Sequence, residues 1–144
     1  FGYKIIFTWV AAVIAAAIVS LPLMYQNVKA AFVSTNPIYE NAARTLGSGN
    51  FKIFRTVTVP LALPGIISGT VLAFCRAIGE FGATLMVAGN IPGKTQTVPT
   101  AIYYAVQNGK DEEANFLVLL MTAFSFVLIF TLNRWMKKKN YTGN

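Results

Sequence analysis

Charge is the first thing this sequence is short of. Only 12% of its 144 residues are Asp, Glu, Lys or Arg, against about 25% in soluble globular domains. Too little polar surface is left to cover a water-borne protein of this size. Histidine is absent and cysteine occurs once, at Cys75, which excludes disulfide frameworks, zinc clusters and Cys/His catalysis within the chain. No G-x-x-x-x-G-K-S/T phosphate loop is present, so nucleotide chemistry by that device is not expected here. What the chain does have is apolar residues. They make up 55% of it, the mean hydropathy is +0.55, and lipid is the expected solvent.

About 20 mostly apolar residues cross a bilayer as a helix, and three stretches qualify. Ile5–Tyr25 carries no charge; Leu61–Val87 carries Arg76 and Glu80; Phe116–Trp135 is apolar up to Asn133 and Arg134. The expected fold class is therefore an all-α membrane protein with three transmembrane helices. The chain opens on Phe1 with Lys4 ahead of the first run, and no small-residue cleavage site precedes a polar domain. We read this start as a truncation within a longer protein.

Orientation follows from Lys and Arg, which gather on the cytoplasmic side. The loop after the first span carries Lys29, Arg44, Lys52 and Arg55, and the tail carries Arg134, Lys137, Lys138 and Lys139. The opposite side has Lys4, Lys94 and Lys110 together with Asp111, Glu112 and Glu113. The loop 26–60 and the C-terminus are thus expected in the cytoplasm, and the loop 88–115 outside. The net charge of +7 is read as this topology signal, and no recognition helix or aromatic interleaving points to nucleic acid.

The loop 26–60 is punctuated like a folded surface. Asn36 is suited to an N-cap and Pro37 to the first helical position. Ile38 to Leu46 can continue the helix, and Gly47 can end it in the left-handed region. Phe51–Thr58 can form a second short helix, and Pro60 and Pro64 mark the entry to the second span. Ala42, Ala43 and Gly47 are small enough to let another protein approach closely. The spaced residues Asn41–Ala43, Gly47 and, nine residues on, Val57–Pro60 resemble the cytoplasmic motif of ABC importer permeases, E-A-A, three residues, G, nine residues, I-x-L-P. Asn41 departs from the Glu of that motif, with Glu40 one position early, and Val stands for Ile and Leu. The resemblance implies that this loop is a coupling helix docking on a separate ATPase, with Asn41, Ala42, Ala43, Leu46, Gly47 and Ser48 at the contact.

In the second span Gly65, Gly69, Ala73 and Ala77 recur every four residues, a small-residue stripe suited to close helix packing. Arg76 and Glu80 are also four apart, with Thr84 one turn further. Charges within a membrane cost about 2.5–3.5 kcal/mol each on insertion scales and should face protein or a water-filled path. Two readings stand: a structural lock within the span, or an anion path to which Arg76 lends positive potential. The lock is preferred, because Glu80 neutralises Arg76. The run Ala77–Lys94, A-I-G-E-F-G-A-T-L-M-V-A-G-N-I-P-G-K, continuing T-Q-T, resembles the molybdate type within the sulfate/molybdate oxyanion permeases. Phe81, Ala83 and Thr84 favour molybdate over sulfate. If an oxyanion passes here, Gly79 and Gly82 could offer backbone and Thr84 a hydroxyl, although Thr84 could equally bond its own helix.

Outside, Thr97 can cap a short helix containing Pro99, ended by Gly109 and lying on the outer surface or plugging the outer mouth. Tyr103, Tyr104 and, at the other face, Trp135 suit the membrane interfaces. Cys75 is read as a packing residue. The expectation is a non-enzymatic permease subunit of an ATP-driven oxyanion importer in the plasma (inner) membrane. The resemblance implies as partners an ATPase subunit, which would hold ATP and Mg, an extracytoplasmic oxyanion-binding protein meeting Lys94 or Asp111–Glu113, and a second permease copy. No cofactor or metal is expected in the chain itself. The alternatives are sulfate or tungstate as cargo, an ion-coupled carrier or channel using Arg76 and Glu80, or a membrane anchor that transports nothing.

Overall fold

The computed structural model describes residues 5–140, with side chains described as far as Arg134. Lys4 lies outside the described residues, as do the side chains of Trp135 and Lys137–Lys139. No strand occurs among the described residues. The helices in chain order are α1 (Trp9–Val33), α2 (Pro37–Thr45), α3 (Asn50–Ile53), a π-turn (Phe54–Thr58), α4 (Val59–Ile78), α5 (Gly82–Ala88), α6 (Val98–Gln107) and α7 (Asp111–Asn140). Three helical segments are long and apolar enough to cross a membrane: Trp9–Val33, Asn50–Ile78 and Asp111–Arg134. The protein is all-α, as the apolar runs imply, but two boundaries move. The first helix begins later and runs further than Ile5–Tyr25. The second begins at Asn50, since α3, the π-turn and α4 follow one another without a break.

Pro60 and Pro64 therefore do not end anything. A proline inside an α-helix withholds an N–H and crowds the carbonyl four residues back. Ahead of Pro60 the chain answers by widening. The Val59 N–H donates to the Phe54 carbonyl, five residues back instead of four, and such π-turns absorb a misfit without breaking the helix. The opposite surprise lies at the other end. The run 61–87 was expected to be one helix, but α4 stops at Ile78 and α5 starts afresh at Gly82. Three hydroxyls on the long helices turn onto their own backbone: Ser20, Thr70 and Thr131 donate to carbonyls three or four residues back, at 2.7–3.1 Å, which satisfies these three within the helix.

The chain divides into two compact units, Pro22–Leu72 and the remainder on either side of it. In Pro22–Leu72, α2 packs against α3 and the π-turn. Phe54 stacks on Phe32 of α1 with ring centroids 6.0 Å apart, and Ile53 and Ala62 are buried. In the other unit, Ala11 and Ala12 of α1 pack with Ala88 of α5. There the Phe7 N–H donates to the Val87 carbonyl at 2.9 Å. Helix α6 packs against α7, joined by a tight link. Gly109 is left-handed at φ +68, its N–H donates to Val106 and that of Lys110 to Ala105. Asp111, Glu112 and Glu113 form the first turn of α7, where the helix dipole favours negative charge.

Candidate functional site

Helix α2 is set by its ends. The Asn36 carbonyl oxygen Oδ1 accepts the Ile38 N–H at 3.0 Å, and Pro37, which has no donor to lose, follows as the first helical residue. At the far end the Gly47 N–H donates to Arg44 (2.9 Å) and the Ser48 N–H to Ala43 (3.1 Å). This paired closure needs a left-handed residue, and Gly47 supplies it at φ +79. Asn41, Ala42, Ala43, Leu46, Gly47 and Ser48 thus come together on the last turns of α2 and its cap. None of the residues of α2 is buried. Leu46 is 85% exposed and Phe51, just beyond the turn, 78%. Ile38 and Tyr39 are exposed as well. Four large apolar side chains thus stand exposed on one short connection. Ile38, Tyr39 and Phe51 escaped the sequence reading, although a cluster of large apolar residues in an otherwise polar loop would have signalled them.

The second candidate centre is the interruption after α4. The Gly79 N–H still reaches Cys75, but the Glu80 N–H drops to Ala77, three residues back, and the helix ends. Arg76 Nη1 donates to Glu80 Oε2 at 2.8 Å, and the Ala83 N–H, in the first turn of α5, donates to Glu80 Oε1 at 3.0 Å. Each carboxylate oxygen of Glu80 therefore has a partner. The Glu80 side chain is 8% exposed and that of Arg76 47%. Phe81 lies under Tyr103 of α6, ring centroids 5.0 Å apart, and Tyr103 meets Tyr104 edge-on at 5.4 Å. Arg76 and Glu80 pair as their spacing suggests. Thr84 does not continue their face, because it belongs to a separate helix, where it is buried. Gly79 and Gly82 are exposed, and a Cβ on either would meet nothing closer than 3.6 Å.

The small-residue stripe divides. A Cβ on Gly65 would sit 2.6 Å from the Ala31 Cβ, and one on Gly69 2.6 Å from the Asn27 Cβ. Both contacts are with α1. The Asn27 side-chain amide donates to the Leu23 carbonyl at 2.8 Å, which keeps its polar end off the glycine. Ala73 is buried and Ala77 half-buried, in the other unit. Among the described residues no group of three His, Cys, Asp or Glu is placed to hold a metal ion.

Residues 1–138 match the family described as binding-protein-dependent transport system inner membrane component. The chain belongs to that family. It is 47% identical to YvgM of Bacillus subtilis over 134 residues, 93% of this chain and 59% of that protein. It is 43% identical over 139 residues to the molybdenum transport system permease protein ModB of Escherichia coli K12, 96% of this chain and 60% of ModB. The sulfate transport system permease protein CysT of Salmonella typhimurium is 35% identical over 133 residues, 92% of this chain and 48% of CysT. The chain thus spans about 60% of the length of its molybdenum-permease relatives and about half of CysT. As a member of this inner membrane family with three membrane-capable helices, it is a membrane protein.

Proposed function

We propose that the chain is part of a permease subunit that passes an oxyanion, molybdate foremost, through the membrane while a separate ATPase chain supplies the energy. One observation carries the coupling: a helix closed at both ends, none of whose residues is buried, with the exposed Leu46 at its cap and the exposed Phe51 just beyond the turn. Burying one such side chain contributes about 1.5–3 kcal/mol, so these two would be leading contributors to a contact made with small residues around them. ATP and Mg would be held by the ATPase. The basic loop and tail support a cytoplasmic position for this face. A binding protein would deliver the anion from the other side, where Lys94 and Asp111–Glu113 are available to it. A second permease copy would complete the pathway. Closure of the ATPase would move α2, and the membrane helices would follow between inward- and outward-open states.

The substrate rests on the relatives' own designations and on the A-G-N-I-P-G-K run. Sulfate and tungstate are the runners-up. A carrier using Arg76 and Glu80 as a relay gains little support, since both oxygens of Glu80 are occupied at 2.8 and 3.0 Å. The test is ATP hydrolysis by the full-length permease reconstituted with its ATPase and binding protein, with molybdate, tungstate or sulfate added in turn. Stimulation by molybdate above the others is the expected result. An intact complex that ignores all three removes the oxyanion. Failure of any ATPase to bind the permease removes the transporter reading itself.

A further inference from the structure

Helix α2 has one side-chain hydrogen bond to another element among the described residues. The Thr58 hydroxyl donates to Glu40 Oε1 at 2.6 Å, across 18 residues of sequence. That length is typical of a hydroxyl donating to a carboxylate. Thr58 is buried, and it is the last residue of the π-turn, immediately ahead of α4.

The surroundings give this contact its meaning. Upstream of Thr58 the chain is held, with Ile53 buried and Phe54 stacked on Phe32 of α1. At Thr58 itself the backbone ladder changes register. The turn is one residue too wide, and Pro60 offers no N–H to restore the ordinary ladder. A wide turn beside a proline is where a helix changes direction at least cost. Helix α2 packs against α3 and the π-turn without burying any of its own residues. A pull on α2 therefore reaches the start of α4 through this side-chain pair, besides the packing of α2 on α3 and the π-turn and the chain itself.

Building on the docking reading above, we propose that Glu40 and Thr58 form a strut that transmits movement of α2 to α4 at the π-turn. They are positioning residues: neither is exposed at the Leu46 end where the ATPase would dock, and neither is assigned to the anion. Without the strut, α2 would rock on the ATPase while the π-turn absorbed the motion. Hydrolysis would continue and transport would lag.

The experiment uses the full-length permease with its ATPase and binding protein in proteoliposomes. It reads three quantities: ATPase retained on the permease, basal hydrolysis, and anion moved per ATP consumed. Thr58→Val keeps the side-chain shape and removes the donor, and Thr58→Ser restores the hydroxyl. Thr58→Val is expected to retain the ATPase and its basal hydrolysis while anion moved per ATP falls about tenfold, the scale of one lost charge-assisted hydrogen bond. Thr58→Ser should recover most of it. Glu40 lies on the face of an unburied helix, so Glu40→Ala gives a second reading should the valine variant misfold. It should uncouple likewise, whereas Glu40→Gln, which keeps an acceptor oxygen, should stay near wild type. Wild-type ratios in Thr58→Val or Glu40→Ala overturn the strut and leave docking intact. A wild-type permease that retains no ATPase overturns the docking reading, and the strut with it.

Discussion

Replacing Gly65 by alanine sets two opposite effects against each other, and the geometry decides between them. Within a helix, Gly→Ala stabilises by up to about 1 kcal/mol through backbone propensity. Against that, the new Cβ would stand 2.6 Å from the Ala31 Cβ and 3.4 Å from its Cα. Carbon atoms rest at about 3.5–4.0 Å, so the helices must part by roughly 1 Å. Overpacking of this kind costs about 1–3 kcal/mol, and the obstacle is a Cβ fixed to backbone with no rotamer to yield. The clash wins, and Gly65→Ala should lower stability. Gly69→Ala should behave alike, since Asn27 Cβ lies at the same 2.6 Å. The assay is the midpoint of thermal aggregation of the intact permease in mild detergent, with a fall of several degrees expected. Ala31→Gly in the Gly65→Ala background removes the obstructing atom and should return most of the loss. An unchanged or raised midpoint for Gly65→Ala would refute the packing argument, because propensity alone would then account for it.

Gly47→Trp should strip the ATPase from the permease in co-purification, because it adds bulk at the proposed contact and strains a residue held at φ +79. Normal recovery of the pair would sink the docking role. Arg76→Leu leaves the nearly buried Glu80 carboxylate without its cation, and the yield of folded permease in the membrane should fall several-fold. Normal yield with selective loss of anion uptake would instead favour the path reading of Arg76. Asn36→Ala removes the acceptor of the Ile38 N–H and should cost α2 about 1 kcal/mol, seen as faster hydrogen exchange over residues 37–45. Exchange at the wild-type rate would mean that the cap contributes nothing.

Local signals were legible and nonlocal ones were not. Asn36, Pro37 and Gly47 announced both ends of α2, and Thr97, Pro99 and Gly109 announced α6, at whose start the Thr100 hydroxyl accepts the Thr97 N–H at 2.9 Å. In both cases the reason is confined to a few consecutive residues: donors without partners at a start, a left-handed residue at a stop. Hydropathy likewise gave three long apolar helices, because burial in lipid needs only composition over a window. The failures have the same physical root. Pro60 and Pro64 read as punctuation, yet a π-turn accommodates Pro60 and the helix runs on. The apolar run past Ile78 read as one helix, since hydropathy is blind to a missing hydrogen bond. The Thr58–Glu40 contact joins residues from different elements, and no periodicity encodes it. The tilted Phe81–Tyr103 ring contact is of the same kind.

The two irregularities at either end of α4 follow one rule, and it bears on how Glu80 should be understood. An unsatisfied backbone group shielded from water costs several kcal/mol, so an interrupted helix persists only where something else satisfies or covers the freed groups. At the first end the remedy is backbone itself: the Val59 N–H reaches one carbonyl further back. At the second end the helix has stopped, and α5 begins with N–H groups that no preceding turn can accept. Glu80 meets that need by taking the Ala83 N–H on one oxygen, while Phe81 is covered by Tyr103. The acidic residue then requires a cation of its own, and Arg76, one turn back on α4, is the nearest place from which to supply it. Read in this order, the break explains the carboxylate and the carboxylate explains the arginine. The pair can be complete without any contribution from a passing anion, which is why a loss of folding, and not a selective loss of uptake, is the expected result of Arg76→Leu.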